Sequence, residues 1–239
     1  MDMMQMEAAA GTFYGHGIPG SLFIVWALYW AAHAMGRPAR AGGSRTLESN
    51  AVVPGLKIVL APVGMWFEIP GEGWYPQDVM MSWEHVTMYF VFGLSGGVDL
   101  LARRGLVSGG ATYVAYAAAM LNAGFLFWGH STHGGVEGLV HVLLALVFFT
   151  VTLIAIAEAV WHSGGLWWGR LGAQLALGSW FFVGAWILYR SGWDFADPVR
   201  LGWTYMMFSW TAIGAALVTL GARLAVGARA GSAGVGSGA

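Results

Sequence analysis

The chain has no cysteine and very little charge. The absence of Cys among its 239 residues excludes disulfide bonds and thiolate chemistry. Charged residues make up 10% of the chain, against roughly 25% in soluble globular domains, and the net charge of -1 provides no basic surface for nucleic acid. Lysine occurs once, at Lys57, in the second hydrophobic segment. A retinal pigment needs a Schiff-base lysine in its last span, so we expect no retinal.

Hydrophobic residues dominate the composition of the chain. Hydrophobic residues make up 57% of it, with 37 Gly and 14 Trp, which is typical of membrane proteins. The runs predict an all-α integral membrane protein, a bundle of seven transmembrane helices within a single domain over residues 1–226. The Gly, Ala and Ser of residues 227–239 predict a disordered tail. The predicted spans are 17–36, 51–69, 79–100, 109–129, 136–161, 171–189 and 201–222.

The basic residues predict the orientation. If the spans alternate, most arginines follow spans one, three, five and seven and so share one side of the membrane. Arg190 and Arg200 fall on the other side. Positive loops face the cytoplasm, so the N-terminus is predicted outside and the C-terminus in the cytoplasm. We expect a multi-pass protein of the lipid bilayer, in the cell membrane if the source is bacterial. The arginines that share one side are Arg37, Arg40, Arg45, Arg103, Arg104, Arg170, Arg223 and Arg229.

Ionisable residues recur at the predicted outer ends of the spans. Because charge inside a bilayer is costly, such a layer indicates a functional site. Three His, or two His with a carboxylate, hold a catalytic zinc with one open position, so zinc or another divalent transition metal is the expected cofactor. Glu137 and His141 are four residues apart on one helix face, where the acid could orient the imidazole. The layer comprises His16, Glu68, Glu84, His85, His130, His133, Glu137, His141 and Asp194.

Within this layer the residue types divide into two candidate roles. The leading metal ligands are His85, His133 and His141, followed by His16 and His130. The candidate general acids or bases are Glu84, Glu137 and Glu68. Any single His here could instead only cap a helix or hydrogen-bond a loop carbonyl.

A few other residues suggest packing or pairing. Asp99 and the pair Glu158 and His162 fall near the predicted inner ends of their spans, and we interpret them as interfacial ion pairs or hydrogen bonds. Gly93 and Gly97 form a Gly-x-x-x-Gly arrangement, which favours close helix packing inside the bundle or, alternatively, a homo-oligomer.

Several motifs in these segments resemble the transmembrane protein 45 family, the domain-of-unknown-function 716 group. The first span carries Gly-His-x-x-Pro-Gly-x-x-Phe over residues 15–23, and the third carries His-Val-Thr-Met-Tyr over 85–89. His130 and His133 lie in a His-x-x-His-Gly loop, where the family pattern is one residue shorter. Gly-Ser-Trp-Phe-Phe over 178–182 and Trp193-Asp194 complete the resemblance. It implies a seven-helix membrane protein and brings no assigned reaction.

Three functions follow from these patterns. The first is a metal-dependent membrane hydrolase, in which the metal activates water against a lipid or amphiphile ligand. The second is a structural, sensing or partner-binding protein whose polar layer is a hydrogen-bonded network. The third is a proton or metal-ion transporter, which is disfavoured because Asn122 and Gln174, in the middle of the spans, are neutral.

Overall fold

The protein is all-α, as the sequence predicts. The computed structural model describes residues 13–36, 47–48, 50–68 and 76–235, with only the helical backbone described for 76–81 and 230–235. Within these ranges there is no strand, and a single 3-10 turn covers Ser131–His133. The helices are α1 (Phe13–Gly36), α2 (Val52–Glu68), α3 (Pro76–Arg103), α4 (Gly109–His130), α5 (Gly135–Trp161), α6 (Gly164–Tyr189) and α7 (Pro198–Val235).

Six of these helices are long and apolar enough to cross a membrane, and the exception is α2. With 17 residues, α2 is about 25 Å long, slightly less than the ~30 Å of a hydrocarbon core. It also contains Pro62 and the charged Lys57. The chain is therefore a multi-pass membrane protein, and α2 is the least typical of its helices.

Two predictions, the disordered tail and the orientation, concern residues that the structure describes only in part. Helix α7 runs to Val235, past residue 227 where the predicted tail begins, and the disorder of residues 227–239 stays a prediction. The arginines at 37, 40 and 45 lie outside the described residues, as does the end of the tail from 236. The orientation itself stays a prediction.

The chain divides into two compact units. Unit 1 takes its described residues from Met1–Gly36, Phe127–Val147 and Leu171–Ala239, and unit 2 from Arg37–Leu126 and Phe148–Arg170. Helices α4, α5 and α6 therefore contribute residues to both units.

In unit 1, two glycines bring α1 and α6 into backbone contact. A methyl group added at Gly20 would lie 2.9 Å from the carbonyl oxygen of Gly178, and one at Gly178 would lie 2.6 Å from that of Gly20. Trp180, two residues further along α6, donates its indole N–H to the carbonyl of Val140 on α5 at 3.2 Å. These contacts hold α1, α5 and α6 together. Helix α1 carries the candidate His16, and α5 carries the candidates Glu137 and His141.

In unit 2, small residues let α2 pack closely on α3. A methyl group at Gly93 would lie 2.8 Å from Cβ of Ala61, and one at Gly96 would lie 2.8 Å from the carbonyl oxygen of Pro54. Gly93 thus serves packing inside the unit, as the Gly-x-x-x-Gly spacing suggests. Gly97 has open space around it, so its expected partner in that motif is replaced by Gly96. Self-association stays a prediction.

Candidate functional site

Three histidines of unit 1 form a buried group, which we call the histidine cluster: His16, His130 and His141. His16 lies in the first turn of α1, His130 is the last residue of α4, and His141 lies in the second turn of α5. The ring centroid of His141 is 5.8 Å from that of His16 and 5.4 Å from that of His130. Their exposed fractions are 5%, 9% and 2%. Three chain segments thus bring three imidazoles together away from solvent.

Aromatic side chains surround the histidine cluster. Phe127 stacks on His141 with ring centroids 6.0 Å apart and an interplanar angle of 10°. Phe181 lies 6.1 Å from His16, between centroids, and also contacts Phe127. Phe127 and Phe181 are buried. Apolar walls exclude water and strengthen the electrostatic interactions of the imidazole nitrogens.

Hydrogen bonds orient two of the imidazoles. Nδ1 of His141 is 3.0 Å from the carbonyl oxygen of Glu137, one turn earlier on α5. A carbonyl oxygen only accepts, so Nδ1 carries the proton and Nε2 keeps its lone pair. Nδ1 of His16 is 3.4 Å from the hydroxyl of Tyr189, the last residue of α6. The sequence indicated that Glu137 could orient His141, and the backbone carbonyl of Glu137 makes such a contact.

The other candidates lie in different surroundings. His133 is exposed on the 3-10 turn, and Asp194 is exposed in the loop before α7, where its carboxylate accepts from the N–H of Ala196. In unit 2, Nδ1 of His85 lies 3.3 Å from a carboxylate oxygen of Glu68, both being about a quarter exposed. Glu84, in the same unit, is half-buried.

Only one of the three leading metal ligands predicted from the sequence, His141, lies in the histidine cluster. The other two members of the cluster, His16 and His130, were candidates of the second rank. Among the residues that the structure describes, no three His, Asp or Glu side chains already converge as ligands of a metal ion. The metal site remains a prediction.

Unit 2 contains a second polar group, which we call the charge network: Glu48, Lys57, Asp99, Glu158 and Arg170. Nζ of Lys57 on α2 is 2.8 Å from Oδ2 of Asp99 on α3. Nε of Arg170 on α6 is 2.6 Å from Oε2 of Glu158 on α5. All five side chains are buried, with Arg170 fully so.

Two aromatic residues of α4 connect the charge network. The ring of Tyr116 lies 5.6 Å from Nζ of Lys57 and 5.9 Å from Cζ of Arg170, within cation–π range of both. The hydroxyl of Tyr113 donates to Oε1 of Glu158 at 3.2 Å. The two ion pairs are thus parts of one continuous group.

The charge network corrects two predictions. Arg170 counts as a loop residue in the orientation argument, but it lies buried within α6. Asp99 and Glu158 are ion-paired as expected, and both side chains are buried inside unit 2. His162 does not take the carboxylate of Glu158, since its contact is a backbone hydrogen bond to the Glu158 carbonyl at 2.8 Å. The signal available in the sequence was the spacing of Glu158 and Arg170 across one short turn.

Comparisons with known proteins agree with the motif resemblance. The model of the family of unknown function DUF716 matches residues 109–194. Transmembrane epididymal protein 1A of Mus musculus is 28% identical, over 88% of this chain and 79% of that protein. Transmembrane epididymal protein 1 of Rattus norvegicus is 31% identical, over 82% of this chain and 64% of that protein. The human protein of the same name is 29% identical over 54% of this chain and 48% of its own length. No solved structure matches.

Proposed function

Through residues 109–194 this chain belongs to the family of unknown function DUF716, and on that premise we propose that it is a membrane protein that binds a divalent transition metal at the histidine cluster. The ligands are the imidazoles of His16, His130 and His141. The observation that carries the proposal is the close grouping of three buried imidazoles, with neighbouring ring centroids 5.4 and 5.8 Å apart.

The spacing of the rings supports this assignment. Three imidazoles around one tetrahedral zinc have ring centroids roughly 5 Å apart, because Zn–N bonds are about 2.0–2.1 Å long and each ring centre lies ~1 Å beyond its nitrogen. The observed separations exceed that value by less than 1 Å. A shared metal ion would require the rings to rotate about their side-chain bonds until their nitrogens point toward one position.

The hydrogen bond of His141 supports the same assignment. A metal-ligating His usually donates its other ring N–H to a carboxylate or backbone carbonyl, which fixes the tautomer and the direction of the lone pair. His141 donates from Nδ1 to the Glu137 carbonyl, so Nε2 is the ligating nitrogen. Neutral imidazole is the form of His that binds a metal ion.

Three of the five motifs on which the family resemblance depends contribute residues to this cluster or to the aromatic side chains around it. His16 comes from the Gly-His-x-x-Pro-Gly motif, and His130 from the loop motif after the fourth span. Phe181, from the Gly-Ser-Trp-Phe-Phe motif, lies against His16. A hydrolase mechanism extends the proposal, and it needs a carboxylate to move protons from metal-bound water. Glu137 belongs to the same unit as the cluster, whereas Glu68 is paired with His85 and Glu84 is in unit 2.

A second candidate function rests on the hydrogen bonds to Tyr189 and the Glu137 carbonyl. The bond between His16 and Tyr189 joins α1 to α6, and the bond between His141 and Glu137 fixes a ring of α5 against them, so the cluster could serve as a polar network in a structural or partner-binding protein. The two candidates differ in whether a metal ion changes the behaviour of the protein.

Titration of the chelator-treated protein with Zn²⁺ separates them. The wild type is expected to bind one equivalent, and His141→Ala should weaken binding at least tenfold, since even loss of an orienting partner costs about 10–100-fold. His133→Ala is the matched control because this residue is exposed on the 3-10 turn. The metal proposal fails if the wild type does not bind Zn²⁺ or if both variants bind equally. A loss of thermal stability in His141→Ala that Zn²⁺ leaves unchanged supports the network.

A further inference from the structure

The phenol of Tyr189, at the end of α6, contacts one imidazole of the histidine cluster. Its hydroxyl lies 3.4 Å from Nδ1 of His16, and the two ring centroids are 5.4 Å apart. If Nδ1 takes this partner, Nε2 is the nitrogen of His16 that coordinates a metal ion. Nε2 must then keep its lone pair, which requires the proton of the neutral ring to be on Nδ1. In that state Nδ1 donates and the oxygen of Tyr189 accepts.

Tyr189 differs from the partner of His141 because a hydroxyl can act in both directions. The carbonyl oxygen of Glu137 only accepts, whereas a phenolic hydroxyl donates or accepts. The surroundings of Tyr189 therefore decide which tautomer of His16 it stabilises. The carboxylate of Glu137, on α5, acts electrostatically on Tyr189. A negative charge favours a hydroxyl whose hydrogen points toward it, which leaves the oxygen lone pairs to accept from Nδ1 of His16.

The way in which α6 ends positions Tyr189. The N–H groups of Arg190 and Ser191 both donate to the carbonyl of Trp186, at 2.9 and 3.0 Å. Gly192 follows with a φ of 66°, and a glycine with positive φ is common where a helix ends. Tyr189 and the imidazole that it contacts also belong to helices in backbone contact, α6 and α1, which limits how far the two side chains can separate.

We propose that Tyr189 is a positioning residue of the metal site, whose hydroxyl accepts from Nδ1 of His16 and so keeps the lone pair of Nε2 for the metal ion. This inference rests on the proposed function, since it concerns the same three ligands. In this arrangement His16 donates from Nδ1 to Tyr189 just as His141 donates from Nδ1 to the Glu137 carbonyl. Two of the three ligands are then oriented by a partner on their second ring nitrogen, as metal-ligating histidines usually are.

Titration of the chelator-treated full chain with Zn²⁺ tests this role when the hydroxyl is removed. Tyr189→Phe should still bind one equivalent, but about 10–100-fold more weakly than the wild type, the usual effect of losing an orienting partner. Tyr205→Phe is the matched control, because Tyr205 is exposed on α7, and it should bind like the wild type. Equal affinities of the wild type and Tyr189→Phe would overturn the inference and leave the metal site standing. If the wild type binds no Zn²⁺, the proposed function fails and the positioning role fails with it.

Nuclear magnetic resonance of ¹⁵N-labelled histidine separates positioning from a purely structural contact. In the metal-free wild type the ring of His16, identified by the loss of its signals in His16→Ala, should carry its proton on Nδ1. Tyr189→Phe removes the acceptor and should shift that proton toward Nε2, while Tyr205→Phe should leave it on Nδ1. A lower Tm of Tyr189→Phe with an unchanged tautomer would show a structural contact alone and would overturn the inference. A wild-type His16 protonated on Nε2 would contradict it as well.

Discussion

At the residue scale, two glycines determine how closely the helices of unit 1 approach. A methyl group at Gly178 would lie 2.6 Å from the carbonyl oxygen of Gly20 and 2.7 Å from the backbone nitrogen of Ile24. Backbone atoms cannot rotate away as a side chain can, so the helices themselves would have to separate. His16 lies one turn before Gly20 on α1, and separation of α1 from α6 would also displace it from Tyr189.

We therefore expect Gly178→Ala to destabilise the protein by about 1–3 kcal/mol, the usual cost of overpacking, and to lower its Tm in detergent. Gly97→Ala is the control, because a methyl group there meets no atom within 4 Å. It should be neutral or slightly stabilising, as alanine favours a helix over glycine by up to ~1 kcal/mol. Equal Tm values for the two variants would contradict this account of the packing.

The sequence predicted the residue types of the site better than their grouping. His16, His130 and His141 were all candidates, because depth along a span follows from position in the chain. Which face of a helix turns toward its neighbours depends on packing, and this is why His85 pairs with Glu68 and His133 lies exposed. The burial of Asp99 with Lys57 was missed for the same reason, since residues 42 positions apart leave no local signal.

At the scale of the helices, buried ion pairs connect neighbouring elements of unit 2. Lys57 is tolerated in α2 because Asp99 of α3 accepts from it, and Arg170 is tolerated in α6 because Glu158 of α5 does. Apolar length predicted most helix boundaries to within about four residues, but α6 begins at Gly164 rather than 171 and α7 ends at Val235 rather than 222. The ion pairs could not be predicted, because a charged residue near the end of a span could equally lie at the membrane–water interface.

Arg170→Met should destabilise the protein by about 3–5 kcal/mol, because it leaves the buried carboxylate of Glu158 without its cation. Arg103→Met is the matched control, since Arg103 is exposed at the end of α3, and its effect should stay within roughly 0.5 kcal/mol. Thermal unfolding of both variants in the same detergent measures the difference. If Arg170→Met were as stable as Arg103→Met, the ion pair between Arg170 and Glu158 would not contribute to stability.

At the scale of the whole molecule, the chain is a multi-pass membrane protein, with seven α-helices in the part that the structure describes. Its composition made that class predictable, because 57% hydrophobic and 10% charged residues do not suit a soluble domain. Orientation is harder to predict. Of the arginines that suggest it, Arg170 is buried in an ion pair, so the positive-inside argument depends on fewer loop residues than the sequence indicates.

The absence of cysteine allows the orientation to be measured without background. Ala196→Cys places a thiol in the loop between α6 and α7, and Ser108→Cys places one between α3 and α4. Both positions are exposed. In intact cells a membrane-impermeant maleimide should label Ala196→Cys and should reach Ser108→Cys only after the membrane is permeabilised. The reverse pattern would place the N-terminus in the cytoplasm.

The central claim is that the histidine cluster holds a metal ion, and elemental analysis of the protein purified without chelator tests it most directly. Close to one equivalent of zinc or another transition metal is expected in the wild type and in His133→Ala. The triple variant His16→Ala, His130→Ala, His141→Ala should contain almost none. Less than a tenth of an equivalent in wild-type protein that has been loaded with Zn²⁺ and then dialysed would contradict the claim.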